Sequence, residues 1–473
     1  MKKLYKYLLY ILPLVLIFSY FPVISLGSNE TMNFELSLPL LWLVVFDVIS
    51  LVMVCKKYRK ELFTKVFGSV LWWLFPLFAT LSVCWSLNVT RGILTVGVMW
   101  ALFFAVVFLW DLRKNLDDKF WKVFWRWFFG SALFACAWCV VQCILDVSGV
   151  SQDVSLLCDG CVYQMFGFPH PNGFAIEPQF MGNLLVAPIL VVGANLIAAC
   201  PSDTLRAAQA KSSRSVEHIA IKFAPLLFFI FSATLFLTFS RGAIYACVVG
   251  LVVMLIFVRP KLKQIFITLG IFAAAFLFTL NLQGILTASS HTSDTYVDGV
   301  AKVLNHLSLG IIDVRGGEKA PEGSGEITPV ISVENSEVPV ENSIYSGYVE
   351  ESTDTRVRLA SAAIEIWHQD FKTALVGVGV GGAGQALYNN GFSPAPKEIV
   401  QNEYAEILLE TGVVGISLFA LIVILAIRVM LKNRKFAGLL IALLAAYGVA
   451  LLFFSGLPNA LNIVLIPALL VLL

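Results

Sequence analysis

Apolar stretches of about 20 residues, the length that crosses a bilayer as a helix, recur along the chain. They fall near 8–26, 36–55, 66–85, 92–110, 124–145 and 174–200. After a polar break come 219–239, 243–258 and 265–285, and after a much longer break 407–430, 437–455 and 461–473. The pattern predicts an all-α polytopic membrane protein of about twelve transmembrane helices. One large loop, 286–402, separates helix nine from helix ten. The chain divides accordingly into helices one to nine (1–285), the loop (286–402) and helices ten to twelve (403–473).

The connections between spans alternate in charge. Lys2, Lys3 and Lys6 precede the first span, and Lys56, Lys57, Arg59, Lys60 and Lys65 follow the second. Arg113, Lys114, Lys119 and Lys122 follow the fourth, Arg206, Lys211 and Arg214 the sixth, and Arg259, Lys261 and Lys263 the eighth. Arg428, Lys432, Arg434 and Lys435 follow the tenth. Basic loops stay in the cytoplasm. Both termini are therefore expected inside and the large loop outside. The N-terminal run is too long, and lacks a small-residue cleavage site, to be a removed signal peptide.

Composition agrees with this layout. Of 473 residues, 58% are hydrophobic and only 14% charged, with a mean hydropathy of +0.83. That excludes a disordered chain, a coiled coil and a nucleic-acid-binding protein, and leaves too few charges to cover a soluble enzyme. The net charge of +2 hides a division by side. In the loop, acidic residues outnumber basic ones by about two to one. Its part near 316–354 is rich in Gly, Pro, Ser and Glu and reads as a flexible insertion. The part near 355–400 reads as folded, with helical spacing at Leu359, Ala363, Ile366 and Trp367 and then a glycine turn. Cysteines mostly sit in apolar runs as small buried residues. Cys158 and Cys161, in a polar stretch, suit a tight disulfide or free thiols better than a metal.

Polar residues at membrane depth are costly and often mark function. Most of them gather at the outer ends of the spans, with Asp47, near the middle of the second, as the main outlier. Arg91 opens the fourth span, where it either snorkels to lipid phosphates or serves the reaction. His170 and Asn172 lie between prolines and glycine before the sixth span. Glu177 begins that span, as a helix N-terminal carboxylate or a functional one. Arg241 sits in a connection too short to let it wander. Gln401, Asn402 and Glu403 stand where the loop re-enters the membrane, and Glu410 follows two turns later, free to pair with a neighbour.

These motifs together resemble the O-antigen ligase and polymerase family of membrane glycosyltransferases. LSVCWSLNVTRG (81–92), FPHPNGFAIEP (168–178), LTFSRGA (237–243), RLASAAIEIWHQDFKTALVGVGVGG (358–382) and QNEYAEILLETGVVG (401–415) are similar to family segments in order, spacing and shared outer face. The resemblance carries the family's two key arginines onto Arg241 and Arg358, with Arg356 as a rival for the second. It departs in one place, where Gln401 stands for the usual histidine. Gln401 can donate hydrogen bonds but cannot act as a base, so Glu177, Glu403 or His170 would have to take the proton. The resemblance implies transfer of a glycan from a polyprenyl-diphosphate carrier to an acceptor hydroxyl outside a bacterial cytoplasmic membrane, in cell-surface polysaccharide assembly. Arg241, Arg358, Gln401 and Glu177 would be catalytic. Arg91, Arg356, His170, Asn172, Asn402, Glu403 and Glu410 would bind substrate. The implied partners are the lipid-linked glycan, a glycan, lipid or protein acceptor, and membrane lipid, without nucleic acid, cofactor or metal. A secondary transporter or flippase is the alternative, for which charged midplane residues and an internal repeat would be the signs.

Overall fold

A computed structural model describes residues 2–19, 23–29, 32–57, 67–112, 116–148, 169–175, 177–198, 217–289, 295–308, 351–432, 436–453, 464–465 and 468. Cys158, Cys161, residues 316–350 of the acidic insertion and most of the expected last span lie outside the described residues; residues 351–354, expected to be flexible, instead begin the helix Glu351–Trp367.

The described chain is mostly helical. Its elements are α1 (Lys2–Ile17), β1 (Val23–Asn29), β2 (Met32–Ser37), α2 (Leu38–Lys57), α3 (Leu74–Ser82), α4 (Val89–Leu112), α5 (Asp118–Val147), α6 (Pro178–Ala198), α7 (Glu217–Leu237), α8 (Arg241–Val258) and α9 (Leu262–Ala288). Beyond these come α10 (Tyr296–Leu307), α11 (Glu351–Trp367), α12 (Phe371–Val376), α13 (Ala383–Asn389), α14 (Glu403–Lys432) and α15 (Ala437–Ala450). Among the described residues, six helices are long and apolar enough to cross a membrane, and four shorter apolar helices accompany them.

Three places differ from the sequence expectation. The first span starts earlier, and the chain behind it forms a two-stranded antiparallel hairpin with Val23 opposite Ser37, so the fold is not purely α. The second strand, Met32–Ser37, alternates apolar and polar positions, and the bulge at Gly27 uses its positive φ of 127°. The third span is a 9-residue helix flanked by 3-10 turns at Val70–Trp72 and Val83–Trp85. The tenth span breaks at Gly412, whose φ is 63°.

The core is one large apolar cluster shared by α1, α2, α4 to α9, α14 and α15. Small residues let helices approach closely: Gly250 of α8 meets Leu190 and Ala446, and Gly182 of α6 meets the turn before α8. At one end, Lys6 pairs with Asp117 at 2.9 Å. Lys6 and the Phe120 N–H hold the exposed Asp117 carboxyl below its usual range. That pair joins two segments expected on the cytoplasmic side. A second, smaller core of Leu359, Ala363, Ile366, Ala386, Leu387 and Leu409 forms the cap.

Candidate active site

The glycine turn joins the cap to the bundle. Gly377, Gly379 and Gly381 all have positive φ, between 73° and 87°, which other residues adopt only at a cost. The turn threads between the start of α14 and residues 82–92. Val378 N–H donates to the Leu409 carbonyl and Gly379 N–H to the Glu410 carbonyl, both at 2.9 Å. On the other side, Ser86 Oγ donates to the Val380 carbonyl at 2.8 Å, and Val380 N–H donates to Ser82 Oγ. A Cβ on Gly379 would overlap the Ser86 backbone.

Arg91 and Glu410 brace this turn. Arg91 Nη1 donates to the Lys397 and Glu398 carbonyls at 3.3 Å. Glu410 is 8% exposed, and its Oε1 accepts the Ala383 N–H at the start of α13.

Gln401 has a left-handed backbone, φ 58°. Its Oε1 accepts a hydrogen bond from Arg356 Nε at 3.1 Å. Arg358, two residues on, faces away along α11 and is exposed. The structure thus brings Arg356 rather than Arg358 to Gln401. Asn402 caps α14 through Oδ1, which accepts from Ala405 N–H.

A short turn gathers the remaining motifs. Leu451 O accepts from Glu403 N–H, Leu452 O from Asn402 Nδ2, and Phe453 O from Gln179 Nε2. The Phe453 side chain lies on Gly242. Around these three residues therefore stand Gln179, two residues after the exposed Glu177, Gly242, next to Arg241, and the re-entry residues Asn402 and Glu403.

Arg241 opens α8 behind the cap residue Ser240, whose Oγ accepts Ala243 N–H. Its Nη1 donates to the His306 carbonyl at 3.1 Å. That carbonyl belongs to the last turn of α10, where backbone carbonyls lack helical partners and favour a cation. His306 Nε2 lies 3.2 Å from the Phe239 carbonyl, which pins α10 to the Arg241 turn. His170 sits behind them, its ring 6.4 Å from that of His306 and 6.3 Å from Phe239. Burial, with His306 and Arg241 nearby, pushes its pKa down to about 3. It is neutral near pH 7 and a weak base. Asn172 is fully buried and accepts from Gln142 Nε2 at 2.9 Å, while Gln283 Nε2 donates to the Pro169 carbonyl.

The supporting residues Gln142, Gln283 and His306 escape the sequence motifs. Gln142 and Gln283 carry a signal, being amides inside apolar spans. His306 carries little, because α10 lies in the loop where no helix is expected.

An apolar cleft of about 460 Å³ runs between α3, α4, α14 and α15, within the roughly 300–1,000 Å³ of small-ligand sites. Trp72, Phe103, Ile422 and Leu444 line it, and Glu403 and Glu410 stand at the end formed by the start of α14.

Apolar helices under a folded cap, with polar motifs gathered where the two meet, define a multi-pass membrane protein with a site at the end of its bundle. Residues 226–420 match the family model described as O-antigen ligase. The match supports the O-antigen ligase and polymerase family and, with it, a glycosyltransferase-like role in polysaccharide assembly. No curated protein matches the chain.

Proposed function

We propose that the protein transfers a glycan from a polyprenyl-diphosphate carrier to an acceptor hydroxyl at the cap side of a bacterial cytoplasmic membrane, with both termini cytoplasmic. The acceptor oxygen bonds to the anomeric carbon while the bond from that carbon to the phosphate oxygen breaks. The electron pair leaves on the diphosphate, and the acceptor proton passes to a carboxylate. The observation that carries this reading is the gathering of Gln179, Asn402 and Glu403 on the Leu451–Phe453 carbonyls, with Gly242 under the Phe453 side chain. Arg241, Glu177 and Gln401 are near neighbours in sequence of these residues, which supports their sharing one site.

Arginine offers planar, permanently charged donors suited to phosphate. Arg241 neutralises the charge growing on the leaving diphosphate. Gln401, its Oε1 held by Arg356, turns its amide N–H donors to a substrate oxygen. Glu403 and Glu177 are the carboxylates for the proton, since neutral, weakly basic His170 and the braced Glu410 fit that role poorly. Arg358, exposed on α11, serves as a second guanidinium for the glycan or diphosphate. The apolar cleft takes part of the prenyl chain.

The test supplies the purified protein in lipid nanodiscs with a polyprenyl-diphosphate glycan and candidate acceptors. Products lengthened on the carrier identify a polymerase, and products on a separate acceptor identify a ligase. Intact donor with every acceptor would overturn the proposal and favour transport.

A further inference from the structure

The helix α12 leaves its apolar side uncovered. Asp370 caps it, accepting Thr373 N–H at 2.9 Å, and Gly377 ends it. Phe371 is 83% exposed and Leu375 41%. The two are four residues apart and share one side of the helix, with exposed Lys372 beside Phe371.

The position of α12 says what covers that side. Below the break at Gly412, α14 runs about 20 residues to Lys432, about 30 Å, which equals the hydrocarbon thickness of a bilayer. From Gly92, α4 runs a similar length to Leu112. The glycine turn abuts both boundary points: Gly381 meets Gly92, and Leu375 and Val376 meet Gly412. The pairing along α14 also has a direction. Val378 bonds to Leu409, Gly377 lies against Glu410 and Thr411, and Val376 lies at Gly412, so going back along the chain from Val378 leads toward the bilayer. Leu375 thus lies against Gly412, the residue before Val413, which is 46% exposed on the membrane part of α14, and Phe371 lies one helical turn before Leu375.

We infer that α12 is an interfacial lipid anchor. Phe371 and Leu375 enter the leaflet that faces the cap, at the boundary of headgroups and acyl chains. Lys372 sits among the lipid phosphates. Because α12 leads directly into the glycine turn, this anchor sets the height of the cap above the membrane.

The experiment places p-benzoylphenylalanine at position 371, at 375, or at Tyr388, which is exposed on α13 beyond the glycine turn. Each full-length protein is irradiated in nanodiscs of phosphatidylethanolamine and phosphatidylglycerol, and adducts are identified by mass spectrometry. Phospholipid adducts at 371 and 375 at least tenfold above those at 388 are expected. Equal yields at the three positions, or cross-links from 371 to a second copy or to residues 309–350, would overturn the inference. The readout needs no glycan donor and is independent of the proposed reaction.

Discussion

Arg241 has little freedom. Its backbone begins α8 directly after a three-residue turn, Thr238–Ser240, and its guanidinium is tied to the end of α10. In the proposed reaction, a donor held in place in this way would stabilise developing charge without reorganisation. Arg241→Ala should lower kcat by about 10²–10³, the loss typical of one such donor, with unchanged membrane insertion, checked by steady-state transfer assays. Arg356→Met should lower kcat more than it raises KM where Arg356 acts by holding Gln401, and raise KM chiefly where it binds substrate; separate kcat and KM values check this. His170 gives a pH prediction. Its folded pKa of about 3 lies below the ordinary 6.5, so the unfolded chain binds the extra proton between those values. Stability is thus full above about pH 6.5 and falls as pH drops toward 3. His170→Asn should flatten that acid loss in thermal unfolding scans.

Among the elements, the glycine turn is the joint on which the cap depends. Gly379→Ala would force a Cβ into the Ser86 backbone at a φ of 87°. It should destabilise the protein by about 2 kcal/mol or more, read as a lower midpoint of unfolding in detergent. The residues 323–350 should be removable with folding and transfer intact; unfolding on their deletion would reveal a structured domain there. Elements differ in how clearly the sequence announces them. The spans around α4 to α9 are legible because each carries a continuous apolar run. The cap helix α11 is legible because Leu359, Ala363 and Ile366 recur at helical spacing and meet in one core. The hairpin of 23–37 is hidden by the apolar residues of its neighbours. The break at Gly412 is hidden because its cause lies far along the chain, in the backbone of Leu375 and Val376. The choice between Arg356 and Arg358 is also tertiary: spacing to the glycine turn favours Arg358, whereas the fold takes Arg356 to Gln401.

At the scale of the molecule, two regions stand out. Lys6 and Asp117 pair at one. Elsewhere, residues of several motifs are joined by hydrogen bonds between positions hundreds of residues apart, Ser86 to Val380, Arg91 to Lys397 and Gln179 to Phe453. This convergence explains why each motif is weak alone: each supplies one side of a site that exists only when helices, cap and the Leu451–Phe453 turn assemble. The most direct test follows release of polyprenyl diphosphate from a labelled polyprenyl-diphosphate glycan, by the wild-type protein and by Arg241→Ala in the same nanodiscs. The account predicts release coupled to glycan transfer by the wild type and its near loss in the variant. Equal release by the two proteins would contradict it.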